Sequence, residues 1–137
     1  MAAIEQKSDS QNGTLAAGTY YFGCGGDAAM INGIHFRWDS ALVAVITFER
    51  SSFPDAVIGS AGVAGEWVQT NPASAQIDIV TGYGTVAAAT ITIPGGGGGG
   101  AAGGATVDIG NSGQRLTRAK VVVTTQGFLR AHHNGKE

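Results

Sequence analysis

Apolar and polar residues alternate with a period of two through much of the chain, the spacing of strands whose successive side chains face opposite ways. Over residues 41–49, Leu42, Ala44, Ile46 and Phe48 make one face and Ala41, Val43, Val45 and Thr47 the other; both are apolar, which predicts a central strand. After Arg115, Thr117, Ala119, Val121 and Val123 form a core face, with Leu116, Arg118, Lys120 and Val122 opposite. Residues 85–93 read as one strand, stopped by Pro94, which has no N–H for the ladder. Shorter runs at 19–22, 34–38, 66–69, 76–81, 105–109 and 128–133 bring the expected total to about eight to ten strands. Turns are predicted at Gly23-Cys24-Gly25-Gly26-Asp27, Ile31-Asn32-Gly33, Gly110-Asn111-Ser112-Gly113 and Gln126-Gly127, where glycine, Asn and Asp supply the required backbone angles.

No stretch carries the 3.6-residue period of a capped helix. The expected fold is all-β: a single antiparallel β-sandwich over residues 19–133, wrapped like a jelly roll. Residues 1–18, polar and without period, read as an extended N-terminal arm, residues 95–104 as a glycine-rich spacer loop, and residues 134–137 as a frayed tail. Within the arm, Ile4, Glu5 and Lys7 are the residues expected to contact a neighbouring subunit along an exposed sheet edge.

Composition sharpens this picture in one respect. Charged residues make up 13% of the chain, about half the ~25% of soluble domains, so much of the surface is neutral and small and suits packing against other protein. The expected partners are further copies of the same chain in a closed ring, a trimer ahead of a dimer. With 8 basic and 10 acidic residues the formal charge is -2, and no Lys/Arg cluster is evident along a strand face, which points away from nucleic acid. The N-terminus lacks the apolar segment of a signal peptide and no run approaches the ~18 apolar residues of a membrane span, so a soluble protein made in a cytoplasm is expected. The single cysteine, Cys24, cannot form an intrachain disulfide and suits the role of a small buried hydrophobe.

Candidate chemistry is sparse. Gly95, Gly97 and Gly100 satisfy G-x-G-x-x-G, but a dinucleotide site needs a helix after the glycines and Ala105-Thr106-Val107-Asp108-Ile109 is a poor helix start. His35, His132 and His133 with Asp27 or Cys24 contain the ligand types zinc takes, yet His132 and His133 are adjacent in a strand and face opposite ways. Trp38, Trp67, Phe36, Phe48, Tyr20 and Tyr21 are candidates for a sugar-stacking face, but each has apolar neighbours and fits the sandwich core better. No nucleophile elbow or catalytic constellation stands out, so no catalytic residue, cofactor or metal is expected and the chain reads as a non-enzyme.

Three stretches, Phe36-Arg37-Trp38-Asp39-Ser40-Ala41, Glu66-Trp67-Val68-Gln69-Thr70-Asn71-Pro72 and Ile109-Gly110-Asn111-Ser112-Gly113-Gln114-Arg115-Leu116-Thr117-Arg118-Ala119-Lys120-Val121, carry a resemblance. Over residues 18–136 the chain resembles the small β-sandwich virion proteins of tailed bacteriophages. The resemblance implies a structural role as a capsid decoration or cement protein, often trimeric, bound to the major capsid protein or another virion protein. It carries over no catalytic residue. The alternative in the same setting is a tail or fibre jelly-roll module that binds host-surface carbohydrate.

Overall fold

The alternating runs pair into two sheets packed face to face. The computed structural model describes residues 3–4, 10–23, 30–51, 53, 60–70, 77–81, 85–87, 90–95, 102–108 and 116–136. Among these described residues, twelve strands follow in chain order: β1 (Ala3–Ile4), β2 (Ser10–Leu15), β3 (Gly18–Gly23), β4 (Met30–Trp38), β5 (Val43–Ser51), β6 (Val68–Thr70), β7 (Ile77–Thr81), β8 (Thr85–Ala87), β9 (Thr90–Pro94), β10 (Gly103–Asp108), β11 (Leu116–Thr125) and β12 (Gly127–Lys136). A seven-stranded sheet has the order β1-β3-β11-β5-β9-β8, with β6 also pairing β5, and a five-stranded sheet the order β2-β12-β4-β10-β7. All pairs are antiparallel except β1 with β3. The fold is therefore an all-β sandwich.

Alternation decides what fills the space between the sheets. Leu42, Ala44, Ile46 and Phe48 on and beside β5 are buried, as are Ala119, Val121 and Val123 on β11, Ile91 and Ile93 on β9, and Tyr20 and Phe22 on β3. The facing sheet contributes Ile34, Phe36 and Trp38 from β4, Ala105 and Val107 from β10, and Leu129 and Ala131 from β12. Phe36 and Phe48 meet across the interior with ring centroids 6.5 Å apart and planes tilted by 54°, one of the favourable aromatic arrangements. Each fully buried side chain of this size contributes about 1.5–3 kcal/mol.

The chain crosses between sheets at corners tied by polar groups. Between β2 and β3, the buried Tyr20 hydroxyl donates to the Ala16 carbonyl at 2.7 Å. At another corner Asp39 Oδ1 accepts from the backbone N–H of Ala41 at 3.1 Å, Leu42 at 3.2 Å and Phe128 at 3.2 Å. One carboxylate thus joins the β4–β5 and β11–β12 crossings, and charge-assisted bonds to backbone are among the stronger hydrogen bonds. Gly127 is needed there because the backbone of Leu42 lies where a side chain would start, 2.5 Å from the position of a Cβ.

Several boundaries differ from those the sequence predicts. Residues 10–15 are not an arm: β2 pairs with β12 of its own chain, and Leu15 enters the core. Polarity misled because β2 is an edge strand, where one face and one edge meet solvent. Residues 85–93 form two strands rather than one, since Thr85 pairs with Thr92 and Ala87 with Thr90. The chain does not reverse at Ile31-Asn32-Gly33, which is part of β4, but the register with β12 shifts there: Asn134 pairs with Gly33 and Gly135 with Ile31, leaving Asn32 as the extra residue. Residues 134–136 belong to β12, so the tail prediction fails there, and Gly103 and Gly104 belong to β10, so the end of the glycine-rich stretch is packed strand rather than spacer. Residues 96–101 and the predicted turns at 24–27 and 110–113 lie outside the described residues.

Gly127→Ala should destabilise the protein by about 1–3 kcal/mol through overpacking against Leu42, measured by urea denaturation. A change within about 0.5 kcal/mol, the range of neutral surface substitutions, would mean that the corner has room to open.

Candidate functional site

Arg118 is placed by alternation on the outer face of the seven-stranded sheet, with Lys120 and Val122 and away from Ala119 and Val121. An arginine there is expected in water, yet Arg118 is only 1% exposed. The segment 60–67, between β5 and β6, covers it. Glu49 stands directly opposite Arg118 in the β5–β11 ladder, and its Oε1 accepts from Arg118 Nε and Nη2, each at 2.8 Å. Arg118 Nη1 donates to the carbonyl oxygen of Ser60. The guanidinium carbon lies 3.8 Å from the ring centroid of Tyr21 and 3.9 Å from that of Trp67, well inside the ~6 Å reach of cation–π attraction. Two aromatic rings, a carboxylate and a backbone carbonyl therefore replace the cation's water.

Burial pushes the Arg118 guanidinium below its ordinary pKa, while the Glu49 hydrogen bond, the Glu49 charge and the nearby Tyr21 and Glu66 pull it back up. Arginine remains a cation at neutral pH, so Arg118 keeps its charge inside the clamp. The covering segment is folded by its own polar contacts. Glu66 N–H donates to the Val63 carbonyl at 3.0 Å, and Val63 N–H donates to Glu66 Oε1 at 3.1 Å. Gly62 N–H donates to Ser60 Oγ at 3.2 Å. The indole Nε1 of Trp67 is buried with no hydrogen-bond partner among the described residues, so Trp67 is held by its ring.

Clamping this segment raises an open groove of about 510 Å³ lined by Arg50, Phe53, Gly65, Glu66, Val68 and Gln69. A smaller hollow of about 320 Å³ adjoins it and shares Phe53, Gly65 and Glu66, adding Val63 and Ala64. Phe53, Val63 and Val68 are 55%, 75% and 61% exposed. Single exposed apolar residues are ordinary, but here three large ones gather around the groove and its adjoining hollow.

The residues singled out in the sequence fall elsewhere. Ile4 lies in β1 in register with Tyr20; Glu5, Lys7, Cys24 and Asp27 lie outside the described residues. His35 and His132 are brought directly opposite one another on β4 and β12, and His133 is in register with Ile34. Among the described residues no three His, Cys, Asp or Glu side chains are grouped to hold a metal ion. Gly95 is followed at Gly103–Asp108 by a strand, not the helix a dinucleotide site requires. All six candidate sugar-stacking aromatics are buried, Trp67 being the most exposed at 8%. Four of them fill the core, whereas Tyr21 and Trp67 serve the Arg118 clamp on the outer face. Compared with known proteins, the chain matches no family model, no curated protein and no solved structure.

Arg118→Ala should destabilise the fold by about 3–5 kcal/mol, because it leaves Glu49 without its partner at a site largely closed to water. Arg118→Lys should recover only part of this, lacking the planar fork and stacking face. In native Arg118→Ala, iodide should newly quench Trp67 while core Trp38 stays protected; unchanged quenching would show that the segment stays down without the arginine.

Proposed function

We propose that the protein is a structural subunit of a bacteriophage particle, a capsid decoration protein that docks on the head surface and stabilises it as one copy in a homo-oligomer. The observation that carries the reading is the exposed apolar trio of Phe53, Val63 and Val68 around the groove and its adjoining hollow, where Val63 lies in the segment clamped by Arg118 and Val68 in the strand that follows it. A preorganised apolar patch loses little entropy on docking, which favours protein–protein association. The strand order adds support. With β1, β6, β7 and β8 set aside, β2-β12-β4-β10 faces β3-β11-β5-β9, and the chain alternates between the sheets before and after the β5–β9 interval, an order that supports a jelly-roll reading. The resemblance to tailed-phage virion proteins supplies the particle as partner, with many copies binding together through multivalency. The described residues give a carbohydrate-binding tail role no aromatic platform from the six candidates, so the protein-docking role is preferred.

Phe53→Ser with Val68→Ser tests this directly. Both side chains are more than half exposed, so the monomer should keep its stability within about 0.5 kcal/mol per site. Co-sedimentation with phage heads should fall sharply, and quantitative mass spectrometry of purified particles should find the wild-type chain at a copy number comparable to that of the major capsid protein. Undiminished co-sedimentation of the double variant would remove the groove from the contact, and a dozen or fewer copies per particle would move the protein to the tail.

A further inference from the structure

The outer face of the five-stranded sheet carries a cationic arrangement that the one-dimensional sequence hides. Across the central pair β4–β12, Arg37 stands directly opposite Arg130, and one outward row further along, His35 stands directly opposite His132. Their strand neighbours Phe36, Trp38, Leu129 and Ala131 are buried between the sheets, so alternation commits all four to the outside, where all are exposed. Residues 37 and 130 are far apart in sequence, and only the pairing brings the two guanidinium groups together. Neither has an ion-pair partner among the described residues.

The direct cross-strand neighbours of these four residues on β2 and β10 are uncharged. Asn12 is in register with Arg130, Ser10 with His132, Thr106 with His35 and Gly104 with Arg37. Asp39, two residues from Arg37, has its Oδ1 committed to three backbone N–H groups, and Asp78 and Asp108 are in register with Thr106 and Gly33. Like charges directly opposite in a sheet are destabilising. On a chain of formal charge -2, two arginines placed so at the centre of a sheet run against local stability, and such departures from local consistency are expected at functional positions.

We propose that this face docks a carboxylate-rich segment of a partner protein. Arg37 and Arg130 each take a carboxylate in a forked, two-point contact, and His35 and His132 add N–H donors beside them. The planar guanidinium matches a carboxylate bidentately, and such contacts act at short range. A long phosphate polymer fits less well: it needs an extended basic track and meets the net negative charge of the whole chain. The face lies on the opposite sheet from the Phe53–Val63–Val68 groove, so the proposal goes beyond the particle reading and stands or falls separately from it.

The test uses the full chain and fluorescence anisotropy with three labelled probes: a peptide of repeating Glu-Gly-Asp, its Gln-Gly-Asn counterpart, and a single-stranded oligothymidine of matching charge. The acidic peptide should bind, more weakly as salt is raised, and the neutral peptide should not. Arg37→Gln with Arg130→Gln should weaken the acidic peptide by about tenfold or more, the scale of losing hydrogen bonds to charged groups, while melting at or above the wild-type temperature. Arg37→Lys with Arg130→Lys, which keeps the charge and removes the forks, should fall between. The Phe53→Ser, Val68→Ser variant should bind the peptide as wild type does, whatever its behaviour with phage heads. Absence of acidic-peptide binding, equal binding by the Gln double variant, or tighter binding of oligothymidine than of the acidic peptide each overturns the proposal, the last in favour of nucleic acid.

Discussion

Strand β5 has to be covered on both faces at one end, and that constraint arranges much of the molecule. Its inner face is apolar from Leu42 to Phe48 and is closed by the opposing sheet. Its outer face carries Glu49 and Ser51 next to Arg118 of β11, groups that no second apolar layer covers. The segment 60–67 closes this side with an aromatic ring and a carbonyl oxygen. A buried ion pair is a poor source of net stability compared with well-packed hydrophobic groups, but it is strongly directional. The Arg118 cluster is thus better understood as fixing where the covering segment lies than as adding to the strength of the fold.

The two outer faces of the sandwich consequently differ in kind. One presents a groove beside a positioned segment, with Phe53, Val63 and Val68 exposed around it. The other presents a flat sheet surface with paired arginines and histidines. Apolar contact supplies affinity with little directional information, whereas forked hydrogen bonds to arginine supply orientation. If both proposed contacts form, the chain sits between two different neighbours, one on each sheet.

Much of the fold was legible because alternation maps directly onto burial: β11 and the Phe36–Trp38 end of β4 place the residues expected to face the core where they belong, and β5 is the central strand that its two apolar faces predict. Alternation is silent about where a strand reverses. In residues 85–93 the period of two spans two antiparallel strands, with small Ala and Thr residues giving no contrast at the reversal. Asn-Gly permits a turn but does not impose one, and at Asn32-Gly33 the strand runs through. The polar β2 was invisible because its place was determined by pairing with β12, a partner more than a hundred residues away. The sites were hidden for the same reason. Arg118 was correctly set on the face opposite Ala119, but its burial comes from Trp67 and Ser60, which no local pattern links to it; Arg37 and Arg130 look isolated until the register of β4 with β12 is known.

The pairing order also has a consequence for how the chain reaches this state. Strand β4 ends up between β10 and β12, and β5 between β11 on one side and β9 with β6 on the other. Both β4 and β5 therefore acquire their in-sheet neighbours from sequence synthesised after them, and β2 finds its partner only once residues 127–136 have been made. Until then apolar strands such as β5 have open edges, and pairing at such long separation is slow because the loop entropy is lost before the contacts form. Newly made chains are consequently most exposed to strand exchange with one another during this interval, and a nascent chain stopped before β11 lacks the strand that joins β3 to β5.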